Sequence, residues 1–590
     1  MSSSTIVLKF GGSVLADAAD LSRGVHEIYR WVRRGYRVVA VVSALNGVTD
    51  QLTSAANAID PDGPEDPRAL LLATGELAVA AQLGLALSRA GIPSATLNPH
   101  QLALRTSGSG VDADPSSIDA ASLQDLLRTV PVAVVPGFVG IGPRNELTLL
   151  GRGGSDLTAL FIASTLNARC RLIKDVDGLY ERDPALPGPK PRRYQQLDWD
   201  RALTLDGQIV QHKAVRLAKR RGLSFEVGSF QRDDVSIITH GEHVWHRDAS
   251  NPDPAAPLRV ALLGLGTVGV GVLAHLLRHP DRFAVSGVLV NDATKARPDV
   301  DRLLAQLPPE ARPPITDDPV EATINADVVV ELIGGIERAR TFVIHAIQSR
   351  AHVITANKAL LCEHGDELLA LAQSQSVSIR YSAAVGGSVP MLETVQRHAA
   401  SIQSIEGVVN GTTNYILESI ARGNTFNNAL ATAQQLGYAE ADPSRDLSGA
   451  DALDKIILLA RSAYASSSSP EPIRIIRRIG LNSQILDTLR PDQPADARIR
   501  LVAWARRGPD AIEVGVEPRV VPASHPLSPL PDATNRLVLH TVSGSVEIVD
   551  GAGAGRWPTA ESVFADLLDL HRQLASHRGT SLEKEVLNVA

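Results

Sequence analysis

The chain reads as an α/β protein built from two nucleotide-handling halves, and three observations carry that reading. An apolar strand near the start runs into Lys9-Phe10-Gly11-Gly12-Ser13. A second glycine turn follows at Gly151-Arg152-Gly153-Gly154-Ser155-Asp156, and beyond residue 257 another strand feeds Gly264-Leu265-Gly266-Thr267-Val268-Gly269. Glycine turns after strands let backbone N–H groups approach phosphate oxygens, and a helix opening behind the turn adds a favourable dipole. At 590 residues the chain is too long for one core, so roughly two to four domains are expected.

Composition narrows the class. An apolar fraction of 44% with 21% charged residues is ordinary for a globular protein. A formal charge of −7 and the lack of any Lys/Arg run give no basic field for nucleic acid, so the expected partners are small-molecule substrates. Two cysteines, Cys170 and Cys362, fall in different halves, which argues against a disulfide framework and for a reducing, cytoplasmic setting. No stretch approaches about eighteen unbroken apolar residues and the start lacks a signal-peptide pattern, so no membrane span is expected.

Element by element, the first half alternates strands at Ile6–Phe10, Val38–Ser43, Val132–Val135 and Arg171–Val176 with helices at Leu71–Ala90, Ser155–Leu166 and Val215–Arg220. That alternation predicts an α/β sandwich over residues 1–245. Residues 246–257, HRDASNPDPAAP, are a linker, because proline and small polar residues block regular structure. Strand–turn–helix units then restart, with strands at Leu258–Leu263, Val285–Val290, Ala326–Ile333 and His352–Ala356. This predicts a dinucleotide-binding domain over 258–385. Around Gly386 the rhythm shifts to longer helices with isolated strands, an α+β domain over 386–575, with Ser466–Pro472 as a loop and 576–590 as a tail.

In the first half, Lys9 can neutralise charge on a transferred phosphoryl group while the glycines cradle it. The pieces Lys9–Ser13, Val41-Val42-Ser43-Ala44, Thr74-Gly75-Glu76, Pro136–Gly140, Gly151–Asp156 and Asp175-Val176-Asp177-Gly178-Leu179-Tyr180 together resemble the amino-acid kinase family, and within it aspartate kinase. The resemblance implies an amino-acid-kinase-like sandwich binding ATP with Mg2+. Lys9, Gly11, Gly12, Ser13, Lys174, Asp175, Asp177 and Tyr180 would then face the nucleotide. Ser43, Glu76 and Arg152 would hold the amino acid, and Lys9 and Asp156 would be catalytic. Departures from the family pattern are Val14, Lys174, and Ile209-Val210-Gln211-His212 with Lys213 displaced; Lys174 or Lys213 is the candidate for the missing charge.

In the second half, Gly264 makes the tight turn, Gly266 admits a pyrophosphate, and Gly269 packs helix on strand, as in a Rossmann domain. The discriminating residues after the second strand point both ways. Asp292 suits a ribose hydroxyl, whereas Lys295 and Arg297 suit a 2′-phosphate, so NADPH and NADH both remain open. Asp451 and Lys455 lie one helical turn apart on one face, with Ser448 and Asp451 also fitting a capping box. Thr355-Ala356-Asn357-Lys358, Ala384–Pro390, Asn410–Leu417, Gly437–Pro443 and Gly551–Gly555 make residues 258–575 resemble homoserine dehydrogenase. That resemblance implies interconversion of aspartate semialdehyde and homoserine. Lys455, Lys358 and Asp451 would be catalytic, and Glu440, Asp446, Asn410, Gly411 and Thr412 would hold substrate. Gly264, Gly266, Thr267, Val268, Gly269, Asn291, Lys295, Arg297, Gly334, Lys358 and Gly555 would hold the cofactor. It also implies a homo-oligomer and a monovalent cation, Na+ or K+, on the backbone of Val385 and Gly387.

The expectation for the whole chain is therefore two activities, on aspartate and on homoserine. The alternative is a working dehydrogenase carrying a silent kinase-like module. Between Gly241 and Leu258 no room remains for small regulatory domains, so feedback inhibition by threonine or lysine is expected to be weak.

Overall fold

The computed structural model describes residues 4–587 except 18, 109, 190, 206, 208, 247–256, 465–470, 490–493, 495, 529 and 532; in the last helix side chains are described to residue 575. Most of the expected 246–257 linker and of the Ser466–Pro472 loop lies outside the described residues. The chain divides into two units, Met1–Asn251 and Pro252–Ala590.

The first unit centres on a nine-stranded sheet. Its middle is formed by β1 (Thr5–Phe10), β2 (Arg37–Val42), β3 (Val132–Pro136), β4 (Arg169–Ile173) and β5 (Phe225–Gly228), in the order β5-β4-β1-β2-β3 and all parallel. These are near-continuous apolar runs, as strands covered on both faces must be. Two helices bear on the site: α1 (Glu65–Arg89) and α2 (Gly154–Leu166). α1 starts earlier than Leu71 because Pro64 sets the entry and Glu65 and Asp66 suit the positive end of the helix. It is the one described helix long and apolar enough to cross a membrane, yet its Ala69, Leu72 and Ala73 pack against Val139 and Leu149. β4 stops at Ile173 rather than Val176, since the chain turns once Lys174 N–H has bonded Gly228 O.

The second unit opens with six parallel strands: β6 (Leu258–Leu263), β7 (Phe283–Leu289), β8 (Ile315–Thr316), β9 (Val328–Glu331), β10 (His352–Thr355) and β11 (Ile379–Arg380). Their order, β8-β7-β6-β9-β10-β11, reverses between β6 and β9, the point at which doubly wound sheets bind dinucleotides. The helices α3 (Thr267–Leu277), α4 (Glu337–Gln348) and α5 (Lys358–Ser374) follow β6, β9 and β10.

A second six-stranded sheet follows, of β12 (Ile402–Val408), β13 (Ile473–Arg478), β14 (Arg498–Arg507), β15 (Ile512–Val521), β16 (Thr534–Thr541) and β17 (Val546–Ala552), ordered β13-β15-β14-β12-β16-β17. The helices α6 (Gly411–Ala421) and α7 (Ala450–Tyr464) belong to this part, and α7 lays Ala452, Leu453, Ile456 and Leu459 into its core. The last helix, α8 (Arg556–Leu587), returns to the dinucleotide domain, where Val563, Phe564 and Leu567 pack with Val272 and Leu276 of α3. Gly271 makes that approach possible: a Cβ there would sit 2.9 Å from Ala560 Cβ.

Candidate active sites

In the first unit, β1 ends at Lys9 while α2 begins beside it, so the Lys9 ammonium meets Asp156 at 2.8 Å. Lys174, just past β4, reaches the other carboxylate oxygen at 2.9 Å. Burial is the main influence on Lys9 and lowers it to about 8 against the pull of Asp156. Burial would raise Asp156, but Lys174 and Lys9 overcome it and hold the carboxyl at about 2. Two cations on one carboxylate leave a net positive charge beside two glycine turns, an environment suited to a phosphate. Gly12 sits against the next strand's end, where a Cβ would lie 2.7 Å from Ala44 O. Glu76 of α1 joins there, its Oε1 accepting the Ala44 N–H at 3.1 Å, and burial pushes its carboxyl up to about 7. Its Oε2 is buried with no hydrogen-bond partner, so the group is poised to accept from a bound cationic donor.

The other nucleotide-facing candidates divide. Ser13, Arg152 and Asp175 are exposed, and Ser43 is half-buried at the end of β2. Asp177 is already committed: the Tyr180 hydroxyl donates to it at 2.8 Å and Arg193 pairs with it at 2.9 Å. Its role here is to fix the turn after β4. Lys213 pairs with Asp112 at 2.8 Å and Asp114 at 3.3 Å, and donates to Leu150 O, so of the two lysines only Lys174 supplies charge to Asp156.

In the second unit a parallel arrangement gathers around Asp451. Lys358, opening α5, pairs with its Oδ1 at 2.9 Å, and Lys455, one turn along α7, pairs with its Oδ2 at 3.1 Å. Asn410 donates to Asp451 Oδ2 at 2.9 Å and to Asp446 at 2.7 Å, while its own carbonyl caps α6 through Thr413 N–H. Lys455 also donates to Val409 O at 2.8 Å. Burial raises Asp451, but Lys455 and Lys358 outweigh it and hold the carboxyl well below the usual carboxylate range. Burial works against the Lys358 ammonium, yet Asp451, with Asp454 adding to it, sets it above its ordinary value. The expected capping box does not form. Ser448 Oγ donates to Arg445 O, and the Asp451 carboxylate is drawn inward by two lysines instead.

The remaining substrate candidates surround this group unevenly. Thr412 donates to Tyr438 O at 2.5 Å, holding the segment that carries Glu440. Glu440 itself is exposed, and its backbone carbonyl accepts from Gln434. Gly411 lies against Ala533 O, which a Cβ would approach to 2.6 Å.

The dinucleotide loop has the form its glycines demand. Gly264 has φ +106°, a conformation favouring glycine, and a Cβ on Gly269 would lie 2.1 Å from Gly264 O. A Cβ built on Gly266 would meet nothing within 4 Å, which leaves space for a pyrophosphate at the N-terminus of α3, where Thr267 and Val268 open the helix. Glu331 ends β9 buried, accepting from Thr355 Oγ1 at 2.6 Å and from the amides of Ile333 and Gly334. Asn357 donates to Gly335 O at 2.6 Å, so Lys358 is aimed from a braced turn. Gly555, at φ +116°, turns the chain into α8. At the expected cation turn Gly387 has φ +55°, and a Cβ there would lie 2.9 Å from Gly553 O and 3.0 Å from Ala552 O.

Three further groups bond to this set without having been marked by the sequence. Val409 offers only a carbonyl, invisible to any side-chain pattern. Asn535 Nδ2 donates to that same carbonyl at 3.1 Å from a strand distant in sequence. Arg338, in the first turn of α4, donates to Asn291 Oδ1 at 2.7 Å. Only the last had a local signal, a cation just after the Gly334-Gly335 turn.

Taken together, the second unit is a nicotinamide-dinucleotide dehydrogenase and the first is an amino acid kinase domain. Family models agree: "Amino acid kinase family" matches residues 4–228, "Homoserine dehydrogenase, NAD binding domain" 264–382, and "Homoserine dehydrogenase" 390–568. The homoserine dehydrogenase of Bacillus subtilis (strain 168) is 35% identical over 328 residues, spanning 54% of this chain and 73% of that protein. That of Corynebacterium glutamicum is 33% identical over 338 residues, covering 54% and 73%. A crystal structure of a homoserine dehydrogenase from Thiobacillus denitrificans has 34% identity, covers 54% of this chain and 74% of its own, and gives a TM-score of 0.48. The chain belongs to the homoserine dehydrogenase family, with an amino acid kinase domain fused ahead of it.

Proposed function

We propose that this chain carries two enzymes: an NAD(P)-dependent homoserine dehydrogenase and, in its first unit, an ATP-dependent kinase acting on the side-chain carboxylate of aspartate. The observation that carries the dehydrogenase chemistry is Asp451 shared by Lys358 and Lys455. The bound nicotinamide ring supplies the hydride acceptor for homoserine oxidation and the donor for the reverse. In homoserine oxidation Lys455, as the neutral amine, would take the hydroxyl proton and in the reverse direction its ammonium would return it, while the Lys358 ammonium stabilises the oxygen and Asp451 orients both side chains. Asp446, tied to Asn410, and Glu440 would meet the substrate's amino end. In the first unit Lys9 and Lys174, held on Asp156, would neutralise the transferred phosphoryl group of ATP·Mg2+. Glu76 would take the amino group of aspartate and Arg152 its carboxylate.

The protein would work in the cytoplasm as a homo-oligomer. Both cysteines are free thiols, and exposed Ile475, Ile476, Val546 and Ile548 on β13 and β17 offer apolar surface for a second copy. Parallel assays on purified full-length protein test the reading. One follows homoserine oxidation with each nicotinamide cofactor, the other captures aspartyl phosphate as its hydroxamate. Rapid homoserine oxidation with no hydroxamate would leave the dehydrogenase and reduce the first unit to a binding or oligomerisation module. A lack of both products would refute the reading entirely.

A further inference from the structure

We propose that Arg338 is the receptor for a 2′-phosphate on the dinucleotide, and that it sets a preference for NADP(H) over NAD(H). β6, which feeds the glycine turn, lies between β7 and β9. Leu263 is in register with Leu289 on one side and with Glu331 on the other. Asn291 follows β7, and Arg338 belongs to α4, which follows β9. A hydrogen bond of 2.7 Å between them must therefore arch across the carboxyl end of β6, over the turn where the dinucleotide lies.

Chemistry at that arch favours a phosphate. Where an acidic side chain would bind a ribose hydroxyl pair and repel a phosphate, this chain has the neutral Asn291. The neighbouring Asp292 carboxylate is folded back on its own loop, accepting from Thr294 N–H at 2.9 Å and Thr294 Oγ1 at 2.6 Å. Arg297, one of the two cations the sequence offers here, donates to Lys295 O at 2.7 Å and Asp292 O at 2.5 Å, so it shapes the loop. Arg338 by contrast is exposed, with Asn291 accepting from one nitrogen and the Phe342 ring 5.3 Å from its guanidinium carbon. A guanidinium has five N–H donors in a planar fork, so most remain for a phosphate, and the ring limits how far the plane can swing. Lys295, exposed on the opposite loop, adds a second positive charge.

This inference rests on the second unit's use of a nicotinamide cofactor and deepens it. The test is equilibrium binding by titration calorimetry on the full-length protein, with NADP+, NAD+, adenosine 2′,5′-bisphosphate and 5′-AMP as probes. Wild type should favour each 2′-phosphorylated probe over its partner. Arg338→Ala should weaken NADP+ and the bisphosphate by about tenfold to a hundredfold, the scale of one or two charge-assisted hydrogen bonds, and change NAD+ and 5′-AMP by less than about threefold. Asn291→Asp, which sets a carboxylate against the guanidinium, should likewise weaken only the 2′-phosphorylated probes. Equal loss for both cofactors in R338A, unchanged NADP+ affinity, or a wild type indifferent to the 2′-phosphate would overturn the proposal. Wild-type homoserine oxidation measured alongside keeps the readings separate. A protein that binds NADP+ through Arg338 but leaves homoserine untouched would lose its proposed substrate and keep this inference.

Discussion

Replacing Lys455 by alanine is the sharpest perturbation of the dehydrogenase site. Asp451 carries one negative charge and faces two ammonium groups, at 2.9 Å and 3.1 Å, so the cluster is net positive before substrate arrives. An alkoxide formed in hydride transfer neutralises it. Without Lys455, the same alkoxide would face an already neutral Lys358–Asp451 pair, and the group best placed to exchange the proton would be gone. Loss of a positioned acid or base costs about 10²–10⁴ in rate, or about 3–5 kcal/mol of barrier. The carbonyl of Val409 keeps its bond from Asn535, so the local backbone should hold. Steady-state homoserine oxidation gives kcat, dinucleotide titration gives cofactor affinity, and thermal unfolding checks that the variant folds. The expected result is a kcat lower by at least a hundredfold with cofactor affinity within about threefold. A variant retaining activity within about threefold of wild type would refute the assignment, because no proton donor or oxyanion partner can be so dispensable.

Four further outcomes follow from the same geometry. Gly266→Ala should fold normally, since nothing lies within 4 Å of the new methyl, yet lose dinucleotide affinity in titration; Gly269→Ala, driven to 2.1 Å from Gly264 O, should lower the melting temperature instead. Asp156→Asn should abolish hydroxamate formation while homoserine oxidation continues, and equal loss of both would contradict two separate chemistries. The Asp156 carboxyl, held at about 2 against an ordinary 3.8, contributes about 2 kcal/mol of stability that is present above pH 4 and drains away as pH falls towards 2, measurable by acid unfolding. Glu76 has the opposite sign: the unfolded chain releases its proton near 4.5 and the folded one near 7, so about 3 kcal/mol is lost as pH rises through that interval. Glu76→Gln should therefore be more stable than wild type in urea unfolding at pH 8 and no more stable at pH 4.

Much of this was legible in the sequence because it depends on backbone conformations few residues permit. The turn at Gly264 needs a positive φ, Gly269 must admit a neighbouring carbonyl, and the apolar runs of β1 and β6 can only be buried strands. Helix periodicity likewise put Asp451 and Lys455 on one face before any contact was known. What spacing could not decide was which charges meet. Ser448 and Asp451 fit a capping box by pattern, but the carboxylate faces a third group, Lys358, brought from another helix, and the stronger electrostatic partners win. The motif marked Asp177 but could not show that Arg193, from beyond the turn, pairs with it. Lys295 and Arg297 were both open as partners for a 2′-phosphate; the fold ties Arg297 to its own loop's carbonyls and brings Arg338 to Asn291 from across the sheet. Sequence alone determined the strands that feed the glycine turns, the turns themselves and the family of chemistry, since those rest on local sterics and burial, whereas the six-stranded sheet of β12–β17, expected only as isolated strands, emerged with the fold. Tertiary structure decided the ion pairs, because Coulomb attraction between side chains acts through space and takes no account of distance along the chain.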